Sequence, residues 1–507
     1  MTTPCFCSND WGGKMTVTGF RVPLILRGTV IEDNWIPFGG RRGGVSFESP
    51  DVALYGDQIN LRTPSLMADL YKLRFTDIVE YLVNLGERLT LARNSYWEEA
   101  FQLARRTSGL SDSILHAQFD AMGRMFDASR LREAAERACG IAHLEGWVEM
   151  PNQSGNKGKA RVRAFGARAV HVIAGNLPVV AAMTIIRNAL TRSDCVIKTP
   201  SNDPLTAAAI ARTMIDMAPD HPLTRHVSVA YWKGGDDRVE KVIYDPRGVE
   251  KIIAWGGLAS ISHISKYLQP GIDLVTLDPK LSGTIIGKDA FVDEDTMRHV
   301  ARRLALDIGL YNQEACVNAR VVYVHSGTDQ AGLRRCERLA ELTFEAIRDL
   351  PPSISTPHKD FDRTLREEID AISYLDDEYR IVGNSGNDGA VIVSLNGEPV
   401  DFSATLGCRV ANLVPVDDID IPVRSVNAYT QTIGIYPEQL KEELRDRLAF
   451  QGAQRVVSLG AAGSVGLNTE IQDGIEPMRR MCKWIVDESC DGQMLEALAH
   501  AEEAETQ

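Results

Sequence analysis

Between Ala169 and Leu277 the chain alternates runs that read as strands with runs that read as helices, and this alternation restricts the fold more than any other feature. AVHVIAGN is followed by the apolar PVVAAMTIIRNAL, then by CVIK, PLTAAAIARTMIDM, HVSVAYWKG, DRVEKVIY, KIIAW, ASISHISKYL and DLVTL. Alternation of this kind buries both element types when parallel strands form one sheet with helices across its faces. The expectation is α/β: a doubly wound, Rossmann-type nucleotide-binding domain over about 165–280. The first strand-to-helix turn lacks Gly-x-Gly-x-x-Gly, so the usual dinucleotide fingerprint is absent.

At 507 residues the chain is too long for one ordinary core, and its flanks suggest further pieces. Residues 16–61 read as short strands and turns. From Ser65 to Gly140 apolar residues fall at helical spacing, as at Leu66, Leu70, Leu73, Ile78, Leu82 and Leu85. GWVEMPNQSGNKGKARVRAFG reads as a hairpin with a long loop, suited to projecting and pairing with another subunit. A second α/β domain is expected after the first, and then an acidic end that reads as a solvated tail. The expected divisions are 1–145 (N-terminal β and helical region joining the cofactor domain), 146–166 (oligomerisation hairpin), 167–280 (cofactor domain), 281–465 (catalytic domain) and 466–507 (C-terminal segment and tail).

Net charge of -14 disfavours nucleic acid or an anionic membrane as main partner. Nine cysteines without metal-ligand spacing fit a reducing cytoplasm and predict no metal; Cys5 and Cys7 are only two potential ligands. The N-terminus lacks the pattern of a secretory signal. The most apolar long window, Val162 to Leu190, is interrupted by Arg168, His171, Asn176, Pro178 and Arg187, so no membrane span is expected.

The chemistry is expected in DIGLYNQEACVNARVVYV, Asp307 to Val324. A helical pattern precedes it and a strand pattern closes it, which leaves Cys316 on a connection where a thiol can meet substrate. In HVIAGNLP, Asn176 ends a strand: read alone, it fits a helix cap, the commoner role of a lone Asn, or an oxyanion donor. Lys198 and Ser201 in VIKTPSNDP stand at another strand end, suited to ribose or phosphate. Gly256 and Gly257 in AWGGLAS permit close backbone approach at a helix start, or simply a tight turn.

Taken in order, GNLP, VIKTPSNDP, AWGGLAS, LVTLDPKLSG and YNQEACVNARVVYV resemble the aldehyde dehydrogenase superfamily, and most nearly its long-chain acyl-CoA reductase branch, typified by the fatty acid reductase of bacterial luminescence. The resemblance implies a Rossmann-type cofactor domain, an α/β catalytic domain and a small β oligomerisation element matching 146–166, hence a homo-oligomer. It implies Cys316 as nucleophile and Asn176 as oxyanion donor, both catalytic, with Lys198, Ser201, Trp255, Gly256, Gly257 and Thr276 at the NADPH or NADH site. The implied reaction is NAD(P)H-dependent reduction of an acyl-CoA, or an acyl-carrier thioester, to aldehyde, with CoA as leaving group. The alternative is a CoA-acylating or hydrolytic dehydrogenase working oxidatively; a binding protein that kept only the fold is a third possibility. Two departures from hydrolytic relatives stand out: Thr276 occupies the position of the water-activating glutamate, and Thr405 that of the ribose-binding glutamate.

Overall fold

The computed structural model describes residues 20–40, 44–151, 159–277, 280–384, 386–464 and 471–489. The alternating region forms the predicted parallel sheet. Arg168–Val172 is flanked on one side by Asp194–Lys198 and then Val227–Ala230, on the other by Lys251–Trp255 and then Asp273–Leu277. The chain winds one way from Arg168–Val172, returns, and winds the other way. The topological switch point therefore falls between Arg168–Val172 and Lys251–Trp255, where ligands of open α/β sheets bind beyond the carboxyl ends. The N-terminal strands Leu24–Leu26 and Thr29–Ile31 extend this sheet antiparallel beyond Val227–Ala230, so part of the N-terminal β-rich piece belongs to it.

A second sheet has seven strands in the order Tyr379–Gly383, Ala390–Ser394, Val410–Pro415, Ala319–Val324, Leu281–Ile286, Thr430–Tyr436 and Arg455–Ser458. All but the first pairing are parallel. Helices Glu294–Gly309 and Gln330–Arg348 pack with Val322, Val324, Val391 and Leu413 in its core. Only residues 278–280 separate Leu277, at the carboxyl end of the first sheet, from Leu281, at the amino end of the second. Those two ends lie no more than about 14 Å apart by chain length alone. The carboxyl edge of one sheet thus meets the amino edge of the other.

The hairpin is built from Val148–Met150 and Lys159–Gly166, and the expected loop falls largely on residues outside the described set. A third strand, Cys482–Ser489, pairs antiparallel along the whole of Lys159–Gly166. It takes in CKWI and only the first four residues, Val486 to Ser489, of the acidic end that reads as a solvated tail; those four are paired along one edge and exposed. Met478, Met481 and Cys482 are buried, and Trp484 packs beside Arg479 and His143. The acidic composition that suggested a tail belongs mostly to residues beyond Ser489, which lie outside the described set along with Cys5 and Cys7. Among the described residues no helix is long and apolar enough to cross a membrane.

Burial at 478 has a measurable consequence. Replacing Met478, which is fully buried, with Ala should destabilise the protein by about 2–5 kcal/mol, as for other large-to-small core changes. Thermal unfolding checks this; a solvated tail would show a change within about 0.5 kcal/mol.

Candidate active site

Cys316 lies between helix Glu294–Gly309 and the central strand Ala319–Val324, at the amino edge of the second sheet. The approach to it is strained. Tyr311, Asn312 and Gln313 all hold positive φ, at 51°, 54° and 66°. Left-handed backbone costs a non-glycine residue about 1–2 kcal/mol. Three side-chain amides offset that cost. Asn312 accepts from Thr356 N at 2.8 Å and Ser355 Oγ at 3.3 Å, and donates to Thr356 Oγ1 at 3.2 Å. Gln313 donates to the Ala319 and Val410 carbonyls at 2.8 and 2.9 Å and accepts from Val410 N at 2.9 Å. Asn318 accepts from Ala315 N at 2.9 Å and donates to the Asp307 and Ile308 carbonyls.

Ser282 adds a further brace. Its hydroxyl donates to the Cys316 carbonyl at 2.7 Å and accepts from Thr432 N at 3.1 Å, at the place where the strand register is interrupted. Interruptions of this kind recur beside active sites because they redirect a side chain. Asp307 holds the opposite wall by accepting from Gly460 N and Ala462 N at 2.8 and 2.9 Å. Burial pushes its carboxyl up to about 6. Ala462 then packs with Leu177, Tyr311 and Cys316.

Asn176 arrives from the other half of the molecule. Its Nδ2 donates to the Glu314 carbonyl at 3.0 Å, two residues before the thiol. The cap reading does not hold, because helix Val179–Leu190 has Pro178 at its N-cap position and no side-chain cap. The amide carries two protons, so one donor remains beyond the bond to Glu314. Gly175 is required beside it: a Cβ there would lie within 2.6 Å of the Pro200 side chain and closer still to Asn202 Oδ1. Asn202 Nδ2 donates to the Gly175 carbonyl at 2.8 Å, which ties the Lys198–Ser201 turn to the Asn176 turn.

The candidate cofactor residues gather along the carboxyl edge of the first sheet. Lys198 ends Asp194–Lys198, its ammonium 5.3 Å from the Trp232 ring and 5.8 Å from that of Tyr231. It makes no ion pair among the described residues, and burial pulls its pKa down to about 8, only partly opposed by the Glu240 carboxylate. Ser201 bonds to Tyr231. Trp255 ends Lys251–Trp255, with the Arg187 guanidinium 6.0 Å from its ring. Gly256 has a φ of 157°, and added Cβ atoms at Gly234, Gly235 and Gly257 would meet nothing within 4 Å. Thr276 lies in Asp273–Leu277 beside Ala254, whereas Thr405 is exposed, its hydroxyl turned to the Phe402 carbonyl.

Burial raises the Cys316 thiol pKa, as does the negative charge of Asp473. Gln431, which donates to the sulfur at 3.3 Å, and Arg320 pull the other way. Gln431 and Asp473 were not read from the sequence: a Gln in a β-branched strand resembles ordinary alternation, and Asp-Gly resembles a surface turn. Nearby, His358 Nε2 meets Glu314 Oε1 at 3.3 Å. Burial opposes charge on His358, yet Cys408 and Glu314 outweigh it and push its pKa up to about 10.

This architecture is an aldehyde dehydrogenase-like fold. It superposes on aldehyde dehydrogenase 21 of Physcomitrella patens with a TM-score of 0.68 and 15% identity, covering 94% of this chain and 99% of that one. For an NADP-dependent glyceraldehyde-3-phosphate dehydrogenase of Bacillus halodurans the values are 0.70 and 13%, covering 93% and 99%. The chain belongs to the acyl-CoA reductase (LuxC) family, whose model matches residues 70–484. It is similar to the long-chain acyl-protein thioester reductases of Photorhabdus laumondii, at 29% identity over 82% of this chain and 83% of the relative, and of Vibrio harveyi, at 26% over 92% and 93%. The family resemblance and fold expected from the motifs are thus borne out.

Two pH effects follow. Alkylation of Cys316 by iodoacetamide should accelerate as pH rises through a midpoint above that of a free thiol, read by peptide mass spectrometry. His358 has a folded pKa raised above 6.5, so its stabilisation is full below about pH 6.5 and is lost as pH rises towards 10. Thermal melts between pH 6.5 and 10 should fall more steeply for the unmutated protein than for His358→Gln.

Proposed function

We propose that this protein reduces acyl thioesters to aldehydes with a reduced nicotinamide cofactor, using Cys316 as the acyl acceptor and Asn176 as the oxyanion donor. The observation that carries the reading is the bond from the Asn176 amide of the facing half to the Glu314 carbonyl, two residues before Cys316 on its braced turn. Family membership supports the reaction class, and the names of the relatives point to an acyl group delivered on a protein. CoA and a protein donor present the same thioester carbon to the sulfur. Either one leaves as a thiol.

The residues at the carboxyl edge fit a dinucleotide. The desolvated ammonium of Lys198, which makes no ion pair among the described residues, is suited to ribose or phosphate oxygens. Gly257 leaves room for backbone approach at the start of helix Leu258–Ser265, and Gly234 and Gly235 are likewise open on the connection that follows Val227–Ala230. Ser201 and Trp255 border the same crevice, with Gly256 giving the turn its direction, and Thr276 lies on the neighbouring strand. The bound cofactor supplies hydride to the carbon held on the sulfur.

The Cys316 thiolate attacks the thioester carbonyl, the oxyanion is held by the free Asn176 N–H, and the donor thiolate departs as the carbonyl reforms. After reduction, the same N–H holds the thiohemiacetal oxygen until the carbon–sulfur bond breaks, releasing aldehyde and the Cys316 thiolate. One oxyanion donor contributes about 3 kcal/mol to such steps. Thr276 has no carboxylate with which to activate water, which favours an acyl-enzyme that waits for hydride.

Incubation with an acyl-CoA and no reduced cofactor should leave an acyl adduct on Cys316 of the unmutated protein and none on Cys316→Ser. Adding NADPH or NADH should discharge it as aldehyde; rapid release of free acid would sink the reductase reading in favour of the hydrolytic one. Asn176→Ala should lower kcat by about 10²-fold or more with a smaller change in KM. Preserved turnover in that variant would remove the oxyanion assignment.

A further inference from the structure

Gln431 and Asp473 form a polar link to the sulfur that the scheme above leaves without a task. Gln431 is the second residue of Thr430–Tyr436 and only 4% exposed. Its Nε2 donates both to Cys316 Sγ, at 3.3 Å, and to Asp473 Oδ1. An ionised carboxylate only accepts, so Asp473 fixes the amide with its NH₂ end towards the sulfur.

Holding that orientation is unfavourable locally. Gln431 Oε1 is buried without a hydrogen-bond partner among the described residues, and Asp473 holds a φ of 53°. Buried unpartnered polar atoms and left-handed non-glycine residues are uncommon, and both concentrate where function requires them. Gln472 accepts from Arg187 Nη2 and Nη1 at 3.3 and 3.4 Å, which anchors the turn to helix Val179–Leu190 of the cofactor half. The charged groups that act on the sulfur are Asp473, Arg320 and Arg455.

An N–H aimed at sulfur favours thiolate over thiol, whereas burial and the Asp473 charge favour the thiol. The thiolate exists at two moments of the reaction, when it attacks the thioester and when it is expelled from the thiohemiacetal. We infer that Gln431 is a catalytic residue that holds the Cys316 thiolate by N–H donation at both moments, and that Asp473 is the positioning residue that keeps the amide turned that way. This rests on Cys316 being the nucleophile.

Two readouts on the full chain test it: the pH profile of Cys316 alkylation by iodoacetamide, which needs no assumption about the reaction, and the rate of Cys316 acylation by decanoyl-CoA without reduced cofactor. Gln431→Leu should move the alkylation profile to higher pH by about one unit or more and slow acylation by about tenfold or more, as expected for a bond to a charged group. In Asp473→Asn the new amide can donate to Gln431 Oε1 and reverse the side chain. Acylation should slow comparably, although loss of the carboxylate charge alone would lower the profile. Asp473→Glu keeps an acceptor and should restore the rate. If Gln431→Leu does not fold, the Asp473 pair carries the test at a partly exposed turn. Unchanged profiles in Gln431→Leu, or faster acylation in Asp473→Asn, overturn the inference alone. Absence of an adduct on unmutated Cys316 overturns the reductase reading, and the catalytic role with it.

Discussion

Everything at this site depends on a turn that the backbone alone would not hold. Tyr311, Asn312 and Gln313 together cost about 3–6 kcal/mol as consecutive left-handed residues. The amides of Asn312, Gln313 and Asn318 each make three hydrogen bonds around it, and intramolecular bonds contribute about 1 kcal/mol apiece. Rigidity is the result. A thiol on a freely moving loop would meet a thioester in many poses; here the Cys316 carbonyl is also held, by Ser282. Were Cys316 the nucleophile of the proposed reaction, such fixed presentation would remove much of its orientational cost.

The second constraint is the meeting of a carboxyl edge with an amino edge. Parallel sheets place ligand-binding turns at their carboxyl ends, which accounts for the gathering of Lys198, Ser201, Trp255 and Gly256. The thiol belongs to the amino edge of the other sheet, where polar strand starts such as Ser282 and Gln431 lie side by side. Neither edge carries the chemistry unaided. The bond from Asn176 to the Glu314 carbonyl, two residues before the thiol, is a point where they join.

Much of this was legible in the sequence. Asp194–Lys198, Lys251–Trp255 and Asp273–Leu277 read as strands because each is a short apolar run closed by turn residues, and Cys316 was placed on its connection because helix-period residues stop at Leu310 and strand residues begin at Ala319. Cys482–Ser489 was not legible. CKWIVDES carries charge and no turn signal, and its place is set by pairing with residues more than three hundred positions earlier. Asp473 escaped for a related reason: an Asp-Gly pair states that the chain turns, while what the carboxylate meets is decided by tertiary contact. The amide braces were hidden differently, since Asn and Gln near a loop usually face water and only burial reveals these three as structural.

The polar surroundings of the sulfur also have an order in time. Residues 281–464 leave the cofactor half and return to it, so the piece bearing Cys316 is in effect an insertion between Leu277 and the turn at Gln472–Asp473. Asn176 precedes the insertion and Asp473 follows it. On a ribosome, the thiol therefore emerges well before one of its two outside neighbours exists. An incomplete chain carries the cysteine with its own sheet and the half bearing Asn176, without the Asp473 carboxylate that accepts from Gln431. The polar surroundings of that sulfur are completed only by the end of synthesis, and a chain cut short within the insertion lacks the Asp473 contact to Gln431.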